Sequence, residues 1–178
     1  MLKTKEIIKL IEDFAPPELA EEWDNSGWQI NLGIEHTKKI CLALSPSLEV
    51  VKQAAQEECD LIITHHPLFF DKINKFSTDN ITCKIAGIAI QNNIQIYSAH
   101  TNMDKAPEGL NHELAQRLGL KNLFQINDFV IQGFTAKEYS LDEFIKYIKK
   151  QLECETIRVI NPQNKTTVNS VSLCTGSG

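Results

Sequence analysis

Two adjacent histidines and one aspartate are the residues whose types and placement suit chemistry best. His65 and His66 follow the apolar run DLIIT, and Asp104 lies shortly after the apolar run IQIYSA. Imidazole nitrogens and carboxylate oxygens are the usual protein ligands of ions such as zinc, iron and manganese. Neighbouring residues at a strand end point in different directions, so the two histidines suit two separate metal ions better than chelation of one. Two such ions can share a water molecule and lower its pKa.

Other interpretations of these residues stay open at the level of sequence. A His-His pair alone is a weak signal, and a surface or capping pair would explain it equally well. Asp104 could be a loop residue that bonds its own backbone. His100 is either a third nitrogen ligand or a residue that orients another ligand. His36 and His112 fall in a turn and on a predicted helix, where solvated positions explain them.

Alternating strand and helix patterns are predicted to position these side chains. The predicted strands cover residues 38–45, 59–66 and 94–100, and the predicted helices cover 3–14, 47–58, 82–93 and 109–120. This alternation indicates an α/β fold with βαβ units and a mainly parallel sheet that has helices on both faces. Ligands of such sheets bind beyond the carboxyl ends of the strands. If the second and third strands are neighbours, His65, His66 and Asp104 share one edge.

The residues after 128 follow a less regular pattern. We therefore predict a metal-binding α/β core at residues 1–128 and the start of a second, α+β segment at 129–178. This segment has predicted strands at 129–136, 156–160 and 168–174, and a helix at 140–152 that begins with a Ser140–Glu143 capping box. The final CTGSG is typical of a strand and turn that lead into a further element, so we expect the second segment to be cut short.

The composition excludes several classes of function. Hydrophobic residues make up 42% of the chain and charged residues 23%, as in globular proteins. A net charge of −5 without a Lys/Arg run argues against nucleic acid as a partner. The lack of a long apolar stretch or signal peptide predicts a cytoplasmic protein. The five scattered cysteines favour neither a disulfide framework nor a zinc ribbon, and GxSxG, GxGxxG and GxxxxGK[ST] motifs are absent.

Several stretches resemble the Nif-three-like family, whose members are often named GTP cyclohydrolase I type 2 homologs. The matching stretches are EEWDNSGWQI at 21–30, DLIITHHPLFF at 60–70, IYSAHTNMD at 96–104 and GLNHELAQRLGL at 109–120. The resemblance implies that His65, His66 and Asp104 are ligands of a dinuclear centre with two divalent metal ions, and that the two histidines serve different ions. It also implies self-association into a toroidal homohexamer.

The resemblance also indicates where this chain departs from the family. A later segment of the family supplies a further His and a Glu to the centre, and we expect this chain to be a fragment that stops before it. Ser45 stands where relatives commonly carry an acidic residue near the site. The predicted function is a metal-dependent hydrolase acting on a nucleotide-like or phosphorylated small molecule, although no guanine or triphosphate pocket is evident. The alternatives are a non-catalytic metal-binding assembly module and an inactive fragment.

Overall fold

The computed structural model describes residues 1–176 and divides the chain into two compact units. The units are Met1–Ala106 and Pro107–Gly178, so the division falls earlier than the boundary at residue 128 that the sequence pattern favours. Within the described residues there are six α-helices and three small sheets, which confirms the α/β class. Ser177 and Gly178, the end of the predicted terminal turn, lie outside the described residues.

The first unit contains a four-stranded sheet and a two-stranded ribbon. Its elements in chain order are β1 (Leu2–Lys3), α1 (Thr4–Phe14), β2 (Gly27–Ile30), β3 (His36–Thr37), β4 (Ile40–Ala43), α2 (Leu48–Gln56), β5 (Leu61–Thr64), α3 (Ile81–Gln91), β6 (Gln95–Ser98) and α4 (Thr101–Lys105). The larger sheet has the order β2-β6-β5-β4, in which β4, β5 and β6 are parallel and β2 is antiparallel to β6. The mainly parallel sheet is confirmed for this unit.

Helices cover both faces of this sheet. Successive residues of a strand point to opposite faces, so each strand contributes side chains to both layers. Ile62 and Ile96 pack in one cluster with residues of α2 and α3, among them Val51 and Ala89. Their sequence neighbours Leu61 and Tyr97 pack in a second cluster with Ile7 and Ile8 of α1. The continuous apolar runs of β5 and β6 are therefore explained by burial on both sides.

Two helices of the first unit, α2 and α3, begin at polar side chains that accept hydrogen bonds from free backbone N–H groups. Ser47 accepts from the Val50 N–H at 3.2 Å at the start of α2, and Asn80 accepts from the Cys83 N–H at 3.2 Å at the start of α3. Pro16 and Pro17 follow Ala15, the residue after the end of α1, and prevent continuation of the helix. Among the described residues, no helix combines the length and the apolar character needed to cross a bilayer.

The second unit is built around an antiparallel sheet. Its elements are α5 (Leu110–Arg117), β7 (Lys121–Asn127), β8 (Val130–Ser140), α6 (Leu141–Gln151) and β9 (Thr167–Leu173). The strands have the order β7-β8-β9. The core of this unit contains Ala115, Leu118, Leu120 and Ile131. The predicted capping box is present, since Ser140 accepts from the Glu143 N–H and the Glu143 carboxylate accepts from the Ser140 N–H.

Two sequence predictions fail in this unit. A mainly parallel sheet does not extend to it, because β8 pairs with both neighbours in antiparallel fashion. The predicted strand at 156–160 is wrong, since these residues form no strand and Ile160 is 80% exposed. An apolar run forms a strand only where a neighbouring strand receives its hydrogen bonds, and no strand of the described part of the chain pairs with residues 156–160.

We predict that Gly133→Ala destabilises the second unit. An added Cβ would lie 2.9 Å from the Leu120 Cβ and 3.2 Å from the Lys121 carbonyl oxygen, atoms that cannot rotate away. Such overpacking costs roughly 1–3 kcal/mol, which urea unfolding would measure.

Gly87→Ala is the matched control. Gly87 lies inside α3 with its nearest contact to an added Cβ at 4.0 Å, so alanine should be neutral or stabilise by up to about 1 kcal/mol. A Gly133→Ala variant as stable as the wild type would contradict the packing described for β8.

Candidate metal centre

The site is positioned by the parallel pairing of β5 and β6. The pairing runs from Leu61↔Gln95 to Thr64↔Ser98, so the two strands end level with each other. His65 and His66 follow β5 directly, and His100 follows β6 after one residue. The neighbour relation on which the predicted site depends is therefore present, and the histidines leave the sheet at one edge.

Two buried hydroxyl groups fix the chain where it leaves the sheet. Thr64 Oγ1 and Ser98 Oγ lie 2.8 Å apart, and each donates to the His66 carbonyl oxygen, at 2.8 and 3.2 Å. Thr64 is 3% exposed and Ser98 is fully buried. Since buried hydrogen bonds hold this carbonyl, the backbone that carries His65 and His66 has one defined course.

Three imidazole rings converge at this edge. One ring nitrogen from each of His65, His66 and His100 lies within 4.8 Å of the other two. The ring centroids are 5.0 Å apart for His65 and His66, 5.1 Å for His65 and His100, and 5.7 Å for His66 and His100. Neutral imidazoles grouped in this way could bind a metal ion.

The hydrogen-bond partners of two of these histidines identify the nitrogen that remains for a ligand. His65 Nδ1 lies 3.0 Å from the Ala99 carbonyl oxygen, and His100 Nδ1 lies 2.7 Å from Asp24 Oδ1. A carbonyl and an ionised carboxylate only accept, so both Nδ1 atoms carry the proton. The Nε2 atom of each neutral ring then has a free lone pair, which is the arrangement that metal-ligating histidines show.

Asp104 brings a carboxylate to the same cluster. Its Oδ2 lies 3.8 Å from His65 Nε2, and the side chains are 13% and 15% exposed. Both atoms can accept, and typical zinc–nitrogen and zinc–oxygen bonds are about 2.0–2.2 Å, so one divalent cation can contact both atoms. The chemistry of the donor set thus fits a metal. Asp104 belongs to the short helix α4, which begins directly after His100.

Asp24 is the residue of this site that the sequence argument did not single out. Its side chain is fully buried and accepts from His100 Nδ1, Ser26 Oγ, Thr101 Oγ1 and the Thr101 N–H. Burial alone would raise the pKa of Asp24, but the hydrogen bonds from Thr101, His100 and Ser26 outweigh it and lower the pKa to about 2. Asp24 therefore stays ionised and orients the His100 ring. No local spacing signals this contact, because the two residues are far apart in the chain.

His66 has a polar partner on the neighbouring strand's loop. Its Nδ1 lies 2.7 Å from Ser45 Oγ, in the position where the resemblance leads one to expect an acidic group. Removal from water lowers the pKa of His66, and the neighbouring His65 and His100 lower it further. The neutral imidazole, which is the form that binds a metal, is therefore favoured.

The other two histidines lie elsewhere. His36 is exposed on β3, and His112 lies on α5 in the second unit, where its Nδ1 is 3.4 Å from Gln116 Nε2. Neither belongs to the imidazole cluster, which agrees with the solvated positions expected from the sequence.

Comparison with known proteins finds relatives along nearly the whole chain. The chain is 40% identical over 159 residues to a protein of Methanocaldococcus jannaschii named GTP cyclohydrolase 1 type 2 homolog, and it spans 64% of that protein's length. The solved structure of reduced HcgD from the same organism has a TM-score of 0.76 at 41% identity, covering 84% of this chain and 60% of HcgD.

A more distant structure shares the fold. A hypothetical protein of Staphylococcus aureus superposes with a TM-score of 0.89 at 24% identity, over 99% of this chain and 72% of that one. The family model Duf34/NIF3 (NGG1p interacting factor 3) matches residues 2–178. The protein described by these 178 residues belongs to the Duf34/NIF3 family.

Proposed function

We propose that this chain supplies part of a dinuclear metal centre in a metal-dependent hydrolase. The observation that carries the proposal is the convergence of three imidazole nitrogens within 4.8 Å and of the Asp104 carboxylate 3.8 Å from His65. In this arrangement His65 and Asp104 would hold one divalent ion, and His66 would contribute to a second. Zinc, iron and manganese all suit such a mixed nitrogen and oxygen donor set.

The substrate class that suits the centre is a nucleotide-like or phosphorylated small molecule. When bound, divalent ions polarise a phosphoryl or carbonyl oxygen and lower the pKa of water, which is the chemistry of hydrolysis. The partial burial of the histidine and aspartate side chains supports the proposal, because charge interactions are stronger where side chains are removed from water. Asp24 fixes the orientation of the His100 ring within the cluster, so His100 can position a ligand through the lone pair of its Nε2 atom.

A non-catalytic metal-binding assembly module is the second candidate. The observation that favours it is the edge strand β4 with the residue that follows it: Ile40 and Leu42 point to one face of the strand, Leu44 comes directly after its end, and the three are 38%, 75% and 66% exposed. Exposed apolar residues on an edge strand favour association. The toroidal homohexamer implied by the family resemblance would supply copies of this chain as partners, and light scattering would measure that state.

We predict that the wild-type chain carries divalent metal and that His65→Ala, His66→Ala and Asp104→Ala lose it. Each substitution removes one donor from the set. Mass spectrometry of protein purified without chelator and without a His tag would measure the content. His36→Ala, which removes an exposed histidine outside the cluster, should keep the wild-type content. A metal-free wild type would instead favour the third interpretation, in which this chain by itself is inactive.

Ser45 provides a finer test. We expect Ser45→Ala to weaken metal affinity by about 10–100-fold, because the His66 ring loses the partner at 2.7 Å that orients it. Ser45→Asp should retain or raise the affinity, since a carboxylate accepts from Nδ1 more strongly. Competition with a metal indicator would measure the metal affinity of both variants. Equal affinity in Ser45→Ala and the wild type would show that this contact does not support the site.

Catalysis separates the two candidate functions. The hydrolase predicts turnover of at least one member of a panel of nucleotides and phosphoesters by the metal-loaded protein, abolished by His66→Ala and retained by His36→Ala. The assembly module predicts metal binding and self-association without turnover. Product release monitored by chromatography would decide between them.

A further inference from the structure

Two exposed aromatic side chains border the imidazole cluster. Trp23 is 62% exposed and Phe70 is 60% exposed, and their ring centroids are 6.0 Å apart with the planes at 64°. Each ring also meets His100 edge to face, at 6.3 Å for Trp23 and 6.4 Å for Phe70. We call Trp23 and Phe70 the aromatic shelf.

The backbone that carries the aromatic shelf is held by hydrogen bonds between the two loops. Asn25 Nδ2 donates to the Phe69 carbonyl oxygen at 2.6 Å, and the Phe69 N–H donates to Gln29 Oε1 at 3.0 Å. Gln29 Nε2 also donates to the Asn25 carbonyl oxygen at 2.6 Å. Asp24, next to Trp23, is anchored by its own buried network. The exposed rings therefore project from a fixed backbone.

The exposure of two fixed aromatic rings at the rim of a polar cluster contrasts with the packing of Trp28 and Tyr97. Tyr97 is 1% exposed, and the partly buried Trp28 packs against it at 5.3 Å. Burial of large aromatic rings is stabilising. A fixed and uncovered pair of rings next to the imidazole cluster therefore indicates a surface that a bound molecule covers. A molecule held by one end at the imidazole cluster would bring its other end onto the aromatic shelf.

We infer that the aromatic shelf binds a planar heteroaromatic ring of the substrate, which makes Trp23 and Phe70 residues that determine specificity. The inference rests on the proposed function and narrows its substrate class to molecules that carry both a flat heterocycle and a group for the metal centre. The angle of 64° forms a corner, in which a ring can stack on one side chain and meet the edge of the other. A sugar phosphate, which has no heteroaromatic ring, would leave this corner empty.

Calorimetric titration of the zinc-loaded protein with guanosine monophosphate and with ribose 5-phosphate tests the inference. The wild type should bind the nucleotide about tenfold or more tightly than the sugar phosphate, because stacking of a base on aromatic side chains raises the binding affinity by about this factor. Trp23→Ala and Phe70→Ala should remove that advantage while leaving metal content and the ribose 5-phosphate affinity unchanged. Phe76→Ala, which removes an equally exposed ring at 62%, should bind both probes like the wild type.

Fluorescence gives a second readout. The chain has two tryptophans, so Trp28→Phe leaves Trp23 as the single emitter. Guanosine monophosphate should quench this emission in a saturable manner, and ribose 5-phosphate should not. Equal affinities of the wild type for the two probes, or alanine variants that keep the nucleotide advantage, would overturn the inference. Shelf variants that change only the oligomeric state would also overturn it, by assigning these rings to a contact between copies. If the inference about the aromatic shelf is overturned but metal content and hydrolysis still depend on His66, the proposed function remains supported.

Discussion

The parallel pairing of β5 with β6 is the constraint on which the rest of the site depends. Parallel strands present their carboxyl ends at the same edge, and the register ends with Thr64 opposite Ser98. An antiparallel pair would place His65 and His100 at opposite edges. Parallel pairing requires a crossover, which α3 supplies, and it leaves both strands buried by helices on either side. The apolar runs, the helix between them and the convergence of the imidazoles thus have one cause.

Burial of the Asp24 carboxylate is the second organising feature. Removing a carboxylate from water is costly unless hydrogen bonds replace the solvent, and here Thr101, His100 and Ser26 provide them. Because these donors come from both the 21–26 loop and the start of α4, the carboxylate ties the two segments together. The same contacts orient His100 and hold Trp23 at the rim. One buried charge therefore couples the geometry of the imidazole cluster to the placement of an exposed ring.

The sequence predicted the parts of this molecule that depend on local pattern. The strands of the parallel sheet, the helices α1 to α3 and the Ser140–Glu143 capping box follow from apolar periodicity and from residues that accept backbone N–H groups. The strand predicted at 156–160 failed and β7 was not anticipated, because an exposed half of an antiparallel sheet carries little apolar pattern. Strand formation there depends on which segment reaches the edges of β8, and this is a property of the assembled sheet.

The candidate site divides in the same way. Residue type and position at strand ends sufficed to select His65, His66 and Asp104 as the candidate ligands, since side chains at strand ends gather at one edge. The sequence also sufficed to recognise the family. Only the tertiary structure assigned Asp24 to His100, Ser45 to His66 and the aromatic rings to the rim of the cluster. These contacts join segments that are distant in the chain, so they depend on loop packing and on compensation for a buried charge, which local periodicity does not encode.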